Sequence, residues 1–245
     1  MSTIAGDPPA AAGQLGHPRV HLRLTGSTNE RARELAIAGA PHGTLVTASA
    51  QSAGRGRQGR RWSAPPGSSI LMSLIVRPAP RLLPLMAAVA VCDVAGPGAA
   101  IKWPNDVVVP GGAGAPLAKL AGILVEARPQ EGWAVLGIGL NVAVRLEELP
   151  EDLQSTAATM GLAPEQVEGA LARVLAALAR RLSEDAGTAL AAWRKRDALS
   201  GREVVWSAGH GRAAGIDGDG RLVVALEGGG HTTIGAGEVH LERVG

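Results

Sequence analysis

Behind Pro164 the apolar residues Val167, Leu171, Val174, Leu175, Leu178 and Leu182 recur at helical spacing. That period predicts a long amphipathic helix with a proline in its first turn. A second helix is predicted over 187–199. Nearer the N-terminus, STNERARELAIAG (27–39) places Ala32, Leu35 and Ala36 on one helical face. Ser27 with Glu30 three residues on reads as a capping box, and Gly39 as a C-terminal stop. PLMAAVAVCDVAG (84–96) is apolar all round and predicts a buried helix starting at Pro84. Short β-rich runs fill the intervals: GTLVTAS (43–49), SSILMSLIV (68–76), AAIKW (99–103), DVVV (106–109), LAGILVEA (120–127) and WAVLGIGLNV (133–142). The Gly/Pro-rich turn PGGAGAP (110–116) separates two of them.

Past Gly201 the text changes to brief β segments, EVVW, RAAGI, RLVVAL, HTTI and EVHL, punctuated by DGDG and EGGG. About 45 residues of that kind predict a small β-barrel appended to a larger α/β unit. Residues 1–18, rich in Ala, Gly and Pro, read as a disordered tail. The expected organisation is therefore a tail over 1–18, one catalytic-size domain over 19–199 and a β domain over 200–245, with no internal repeat.

Composition narrows the classes. A chain of 245 residues, 46% hydrophobic and 19% charged, can bury a core without staples. The single cysteine, Cys92, excludes a disulfide framework and a thiolate metal site and points to a reducing compartment. It sits in an apolar helix, as a core residue rather than a nucleophile. A net charge of +2 is too small to draw nucleic acid or membrane in general, so any basic patch must act locally. The N-terminus lacks the basic and apolar regions of a signal peptide. The longest apolar run, Leu85 to Ile101, carries Asp93 and Pro97 and is too short to span a bilayer. The expected location is the cytoplasm.

The densest chemistry lies in AGRGRQGRRW (53–62), with four arginines and three glycines. Gly54, Gly56 and Gly59 satisfy the dinucleotide-binding spacing, but no helix could begin in the Arg-Trp-Ser-Ala-Pro-Pro that follows. No acidic residue lies about twenty positions on, either. A disordered Gly/Arg nucleic-acid segment would be long and repetitive; this one is a single copy between two strands, with no Tyr or Phe in the chain to stack on bases. What remains is an ordered loop offering guanidinium forks to an anion. No nucleophile elbow is present, the six histidines lack metal spacing, and Lys119 has Ala113 and Ala118 where a P-loop needs glycines.

GSTNERA, QSAGRGRQGRRW, KWPNDV, KLAGILVE and GIGLNV occur in order at spacings that resemble the biotin–protein ligases. The resemblance spans about residues 20–243. It implies an α+β fold: a mixed sheet packed with helices, of the class II synthetase-like type, plus a C-terminal SH3-like barrel. Some family members carry an N-terminal helix-turn-helix domain, which roughly 20 Pro/Ala-rich residues cannot hold, so the monofunctional, non-repressor type is implied. The implied reaction joins biotin to MgATP as biotinyl-5′-adenylate. The biotinyl group then passes to a lysine of a carboxylase carrier domain, such as that of acetyl-CoA carboxylase. ATP and Mg²⁺ are the implied cofactors; no DNA or membrane partner is implied, and a homodimer is compatible.

The same resemblance assigns roles. Ser27, Thr28, Asn29, Gln51, Gly54, Arg55, Gly56, Arg57, Lys119, Gly122, Gly137 and Gly139 would contact biotin, with Arg57 and Lys119 at the reacting carboxylate. Arg57, Trp62, Lys102, Asn105 and Asn141 would contact ATP or the adenylate. No residue is assigned to metal outright; Asn105 and Asp106 are the candidates for Mg²⁺. The physical demand agrees: pressing a carboxylate onto an α-phosphate calls for fixed cations in a site that excludes water. Glycines within strands normally cost stability, so Gly122, Gly137 and Gly139 are expected to let a flat ligand lie on bare backbone. Ser27 remains equally readable as a helix cap, Trp62 and Trp103 as core, and Arg60 and Arg61 as surface charges. A lipoate ligase of the same fold, or a nucleic-acid-binding module using the Arg-rich loop, are the alternatives.

Overall fold

In the computed structural model, residues 15–110, 116–235 and 239–241 are described. Seven strands form a mixed sheet: β1 (Arg19–Leu22), β2 (Leu45–Ala48), β3 (Ser69–Val76), β4 (Ala100–Lys102), β5 (Asp106–Val109), β6 (Ala118–Arg128) and β7 (Trp133–Asn141). Their order across the sheet is β1-β2-β3-β7-β6-β5-β4; β1 and β2 run parallel and the other pairs antiparallel.

Period-2 alternation sorts the two faces. Ile70, Met72, Leu74 and Val76 of β3, Ala121 and Ile123 of β6, and Leu136, Ile138 and Leu140 of β7 share one core with α2 (Leu83–Ala95), α4 (Val167–Leu182) and α5 (Ala186–Arg194). Helix α2 lies between the sheet and α4, which is why it is apolar all round. Cys92 is fully buried there, and burial pushes its thiol pKa up to about 12. On the opposite face α1 (Thr28–Ile37) sets Ala32 and Ala36 against Val46, Ile75, Trp133 and Val135. This helix leaves part of that face uncovered. Beyond it, β3, β6 and β7 present Leu71, Gly122, Leu124, Gly137 and Gly139, which floor a cavity.

Several expectations need correction. Gly39, at a φ of 88°, ends α1 as read, donating to Ala36 O while Ala40 donates to Leu35 O. The capping box is absent, because the Ser27 side chain makes no cap bond and faces the cavity instead. The short edge strand β1 and the helix α3 (Glu151–Gln154) carry too few residues for a period to be visible. The tail shortens at its C-terminal end. Leu15 packs on the core, Gly16 donates to Gly43 O and Pro18 O accepts from Leu45 N, so residues 15–18 are folded. Residues 1–14 of that tail, and 111–115 of the Gly/Pro turn, lie outside the described residues.

The C-terminal strands β8 (Glu203–Trp206), β9 (Gly209–Ile216), β10 (Leu222–Ala225), β11 (His231–Ile234) and β12 (His240–Leu241) form a second, antiparallel sheet of order β11-β10-β9-β8-β12. Among the described residues β11 pairs only with β10 and β12 only with β8, so the two outer strands do not meet and the sheet is not closed into the expected barrel. Its inner residues Val204, Ala213, Ile216, Leu222 and Val224 join the main core.

Candidate active site

The AGRGRQGRRW segment is an ordered hairpin. Trp62 N donates to Gly54 O at 3.0 Å and Gly56 N to Arg60 O at 2.7 Å, with Arg55 opposite Arg61. Gln58 and Gly59 turn the chain at positive φ, 54° and 75°. A side chain at Gly54 would collide with the Trp62 carbonyl, so the first glycine permits the pairing. The hairpin lays Trp62 over the sheet. A Cβ built on Gly139 would stand 2.5 Å from the Trp62 ring, and one on Gly122, the residue opposite it, 3.1 Å.

Hairpin, sheet and the start of α1 enclose a cavity of about 420 Å³. One end is polar, with its charges paired. Gln51 Oε1 accepts from Thr28 N at 2.7 Å and from Thr28 Oγ1 at 3.1 Å. Buried Ser73 Oγ lies 2.9 Å from Thr28 Oγ1 and 2.6 Å from Asn29 Oδ1, and Asn29 Nδ2 donates to Glu126 Oε2 at 2.9 Å. Arg55 stands 3.8 Å from the same carboxylate. The amide of Asn29 fills the space above Gly137, where a Cβ would clash with it. The chain Gln51–Thr28–Ser73–Asn29–Glu126 fixes each side chain through the next.

The other end is cationic. Lys119 Nζ pairs with Asp106 Oδ1 at 2.7 Å and sits 5.8 Å from the centroid of the Trp62 ring. Arg57 donates to Asn105 Oδ1 at 3.3 Å, while Asn105 Nδ2 donates to Ile123 O at 3.0 Å. Lys102 shares this wall. The backbone of Lys119 is clamped by the segment after α3: its N–H donates to Thr156 O at 2.6 Å and its carbonyl accepts from Ala158 N at 2.8 Å. Asn141 Nδ2 donates to Ala158 O at 3.0 Å, tying the end of β7 to that segment.

A family model described as the biotin/lipoate A/B protein ligase family matches residues 22–142, and one described as the biotin protein ligase C-terminal domain matches 199–241. The biotin--[acetyl-CoA-carboxylase] ligase of Mycobacterium tuberculosis is 37% identical over 239 residues, 88% of this chain and 85% of that protein. The chain belongs to the biotin/lipoate A/B protein ligase family. It is also 38% identical over 161 residues to the bifunctional ligase/repressor BirA of Bacillus spizizenii, a match covering 61% of this chain and 48% of that protein's length. Among solved structures, the biotin protein ligase of Aquifex aeolicus in complex with biotin and ATP superposes with a TM-score of 0.77 at 26% identity, over 93% of this chain and 99% of that one.

Within this family fold, Ser27, Thr28, Asn29, Gln51, Arg55, Gly56, Arg57, Trp62, Lys102, Asn105, Asp106, Lys119, Gly122, Gly137, Gly139 and Asn141 all line the one cavity. Gly54 does not; it borders a second recess on the outer side of the hairpin. The three strand glycines are not bare, since Trp62 and Asn29 occupy the space above them. Arg60 and Arg61, readable as surface charges, also border this cavity, and Arg61 donates to Ser52 O at 2.6 Å. Sequence reasoning missed Ser73, Glu126 and the wall formed by Leu149, Leu153, Thr156 and Ala157. Ser73 did carry a signal: it is the lone polar residue inside ILMSLIV.

Proposed function

We propose that this chain is a biotin–protein ligase. It joins the biotin carboxylate to the α-phosphate of MgATP, then hands the biotinyl group to a lysine of a carboxylase carrier domain, with that of acetyl-CoA carboxylase as the expected target. One observation carries this reading: a single cavity is hydrogen-bonding with paired charges at one end and carries Arg57, Lys102 and Lys119 at the other. Biotin has a ureido ring that both donates and accepts hydrogen bonds, and a carboxylate at the end of an apolar tail. Thr28, Gln51 and Asn29 suit the ring, and Arg57 and Lys119 suit the carboxylate. The dithiolane of lipoate offers the polar end neither donor nor acceptor, so Thr28, Gln51 and Asn29 would gain nothing from binding it.

In the first step a carboxylate oxygen bonds to the α-phosphorus while the bond to the bridging oxygen breaks, and the electron pair leaves with pyrophosphate. Charge builds on oxygens between Arg57, Lys119 and Lys102, cations already fixed in place. Trp62 and the hairpin keep water from the mixed anhydride. In the second step the lysine amine attacks the acyl carbon, the bond to the phosphate oxygen breaks, AMP departs and the nitrogen sheds its proton to solvent. Positioning is the main requirement. No group of three or more His, Cys, Asp or Glu able to hold a metal is found among the described residues. Asn105 and Asp106, an amide and a carboxylate on the cavity wall, are the residues that would help hold Mg²⁺ carried on triphosphate oxygens. There Mg²⁺ would supply charge neutralisation.

No helix among the described residues is long and apolar enough to cross a membrane. With its one cysteine deep in the core, the chain suits a reducing cytoplasm. The deciding experiment is ATP–pyrophosphate exchange with biotin, with lipoate and with no acid. Exchange with biotin alone is expected; exchange with lipoate alone would overturn the reading.

A further inference from the structure

The wall that carries Lys102, Asn105 and Asp106 is the β4–β5 hairpin, and its far side rests on the C-terminal sheet. Trp103, at the tip, is 3% exposed and donates its ring N–H to Gly220 O at 3.1 Å. A buried indole needs an acceptor, and the one it finds belongs to the β9–β10 turn. That turn, Asp217–Gly220, is stiff. Asp217 Oδ1 accepts from Asp219 N at 2.8 Å and Arg221 N at 2.9 Å, and Gly220 N donates to Asp217 O at 3.1 Å. Gly220 has a φ of 78°, and a Cβ there would lie 2.7 Å from Leu85 at the start of α2. Arg81 pairs with Asp219 at 2.7 Å across the same junction. The connection to the C-terminal sheet grips the middle of β4: Ile101 N donates to Arg196 O at 2.6 Å and Ala198 N to Ile101 O at 2.9 Å.

We infer that the β9–β10 turn, through the Gly220–Trp103 clasp, is a positioning device for the phosphate end of the cavity. This rests on the reading that Lys102 and Asn105 meet the triphosphate. The polar end, built from α1, β2 and β3, has no part in the clasp, so the two substrates respond differently when it is broken.

The test uses the full chain with two substitutions, one from each side: Trp103→Phe, which keeps an aromatic ring and removes the donor, and Gly220→Ala, which drives a methyl into Leu85. MgATP and biotin are titrated separately by calorimetry, pyrophosphate exchange supplies KM and kcat, and melting temperature is recorded alongside. Losing one buried hydrogen bond predicts a rise of about three- to tenfold in the KM and Kd for MgATP, with biotin affinity within about twofold of wild type. Equal weakening of both ligands, or a lower melting temperature with MgATP binding intact, would overturn the inference. Should wild-type exchange not depend on biotin, the ligase reading falls, while the MgATP titration still decides the clasp.

Discussion

Replacing Lys119 by glutamine removes the cation but keeps a polar chain of similar length. Its effect is larger than the loss of one charge, because Lys119 masks Asp106 at 2.7 Å. The substitution therefore takes a cation from the reacting oxygens and also unveils a carboxylate beside incoming phosphates. Lys119 is 40% exposed, so an effective dielectric near 20 is appropriate. A unit charge about 5 Å from the developing negative charge is then worth about 3 kcal/mol, or about 10²-fold in rate. The cost of losing one preorganised donor elsewhere, about 10²–10³-fold, is of the same order. Because that charge density exists only as carboxylate and phosphate are pressed together, the loss falls on kcat more than on biotin affinity. The assay is pyrophosphate exchange at saturating biotin and MgATP, with the biotin Kd measured calorimetrically on the same protein. A second arm adds Asp106→Asn: recovery of about tenfold is expected if Asp106 serves only to balance Lys119, from a repulsion of about 1–2 kcal/mol at about 8–10 Å. A kcat for Lys119→Gln within a fewfold of wild type would show Lys119 to be an ordinary strand residue.

Gly139→Ala places a methyl where the Trp62 ring stands, 2.5 Å away, and should lower exchange at least about tenfold while shifting Trp fluorescence, since even a 1 Å misplacement is costly; unchanged emission and rate would refute the packing argument. The hairpin of 54–62 should gain hydrogen-exchange protection when biotin and ATP are added together, because anions relieve the repulsion among its arginines; equal protection in both states would refute this. Burial pushes the Asp93 carboxyl up, but Arg181 and Arg180 hold it below the usual carboxylate range overall. Its stabilising contribution is thus fully present above the unfolded value of about 3.9 and lost as pH falls through the lowered folded value. Asp93→Asn should cost about 1–3 kcal/mol at neutral pH, with a smaller penalty near pH 3 in thermal melts; a pH-independent penalty would refute it.

The sequence carried most of the long elements, because burial on one face or two leaves a period that survives without coordinates. Helix α4 showed its stripe from Val167 to Leu182, and β3 and β7 showed the apolar runs of strands covered on both sides. Features that depend on partners far along the chain stayed hidden. Ser27 has every local mark of a cap, but its neighbours place it on a cavity, where local propensity no longer decides. Ser73 and Glu126 act by joining α1 to β3 and β6 across 44 and 97 residues, and no spacing rule spans such a gap. The Thr156–Ala158 clamp on Lys119 is made of backbone, to which side-chain identity is nearly blind.

The strand glycines show how a correct inference can name the wrong occupant. Glycine at 122, 137 and 139 does mark the close approach of something flat to the sheet, as their cost in strands demands. The flat groups turn out to be the protein's own: the Trp62 ring over Gly122 and Gly139, and the Asn29 amide over Gly137. This changes what the glycines do. They let the hairpin and the N-terminus of α1 sink onto the floor, so that Arg57 comes within 3.3 Å of Asn105 and Trp62 within 5.8 Å of Lys119. Were the glycines larger, both covers would ride higher, and the cations would lose the geometry that makes fixed charges effective. The floor therefore sets the height of the roof, and the roof carries the arginines.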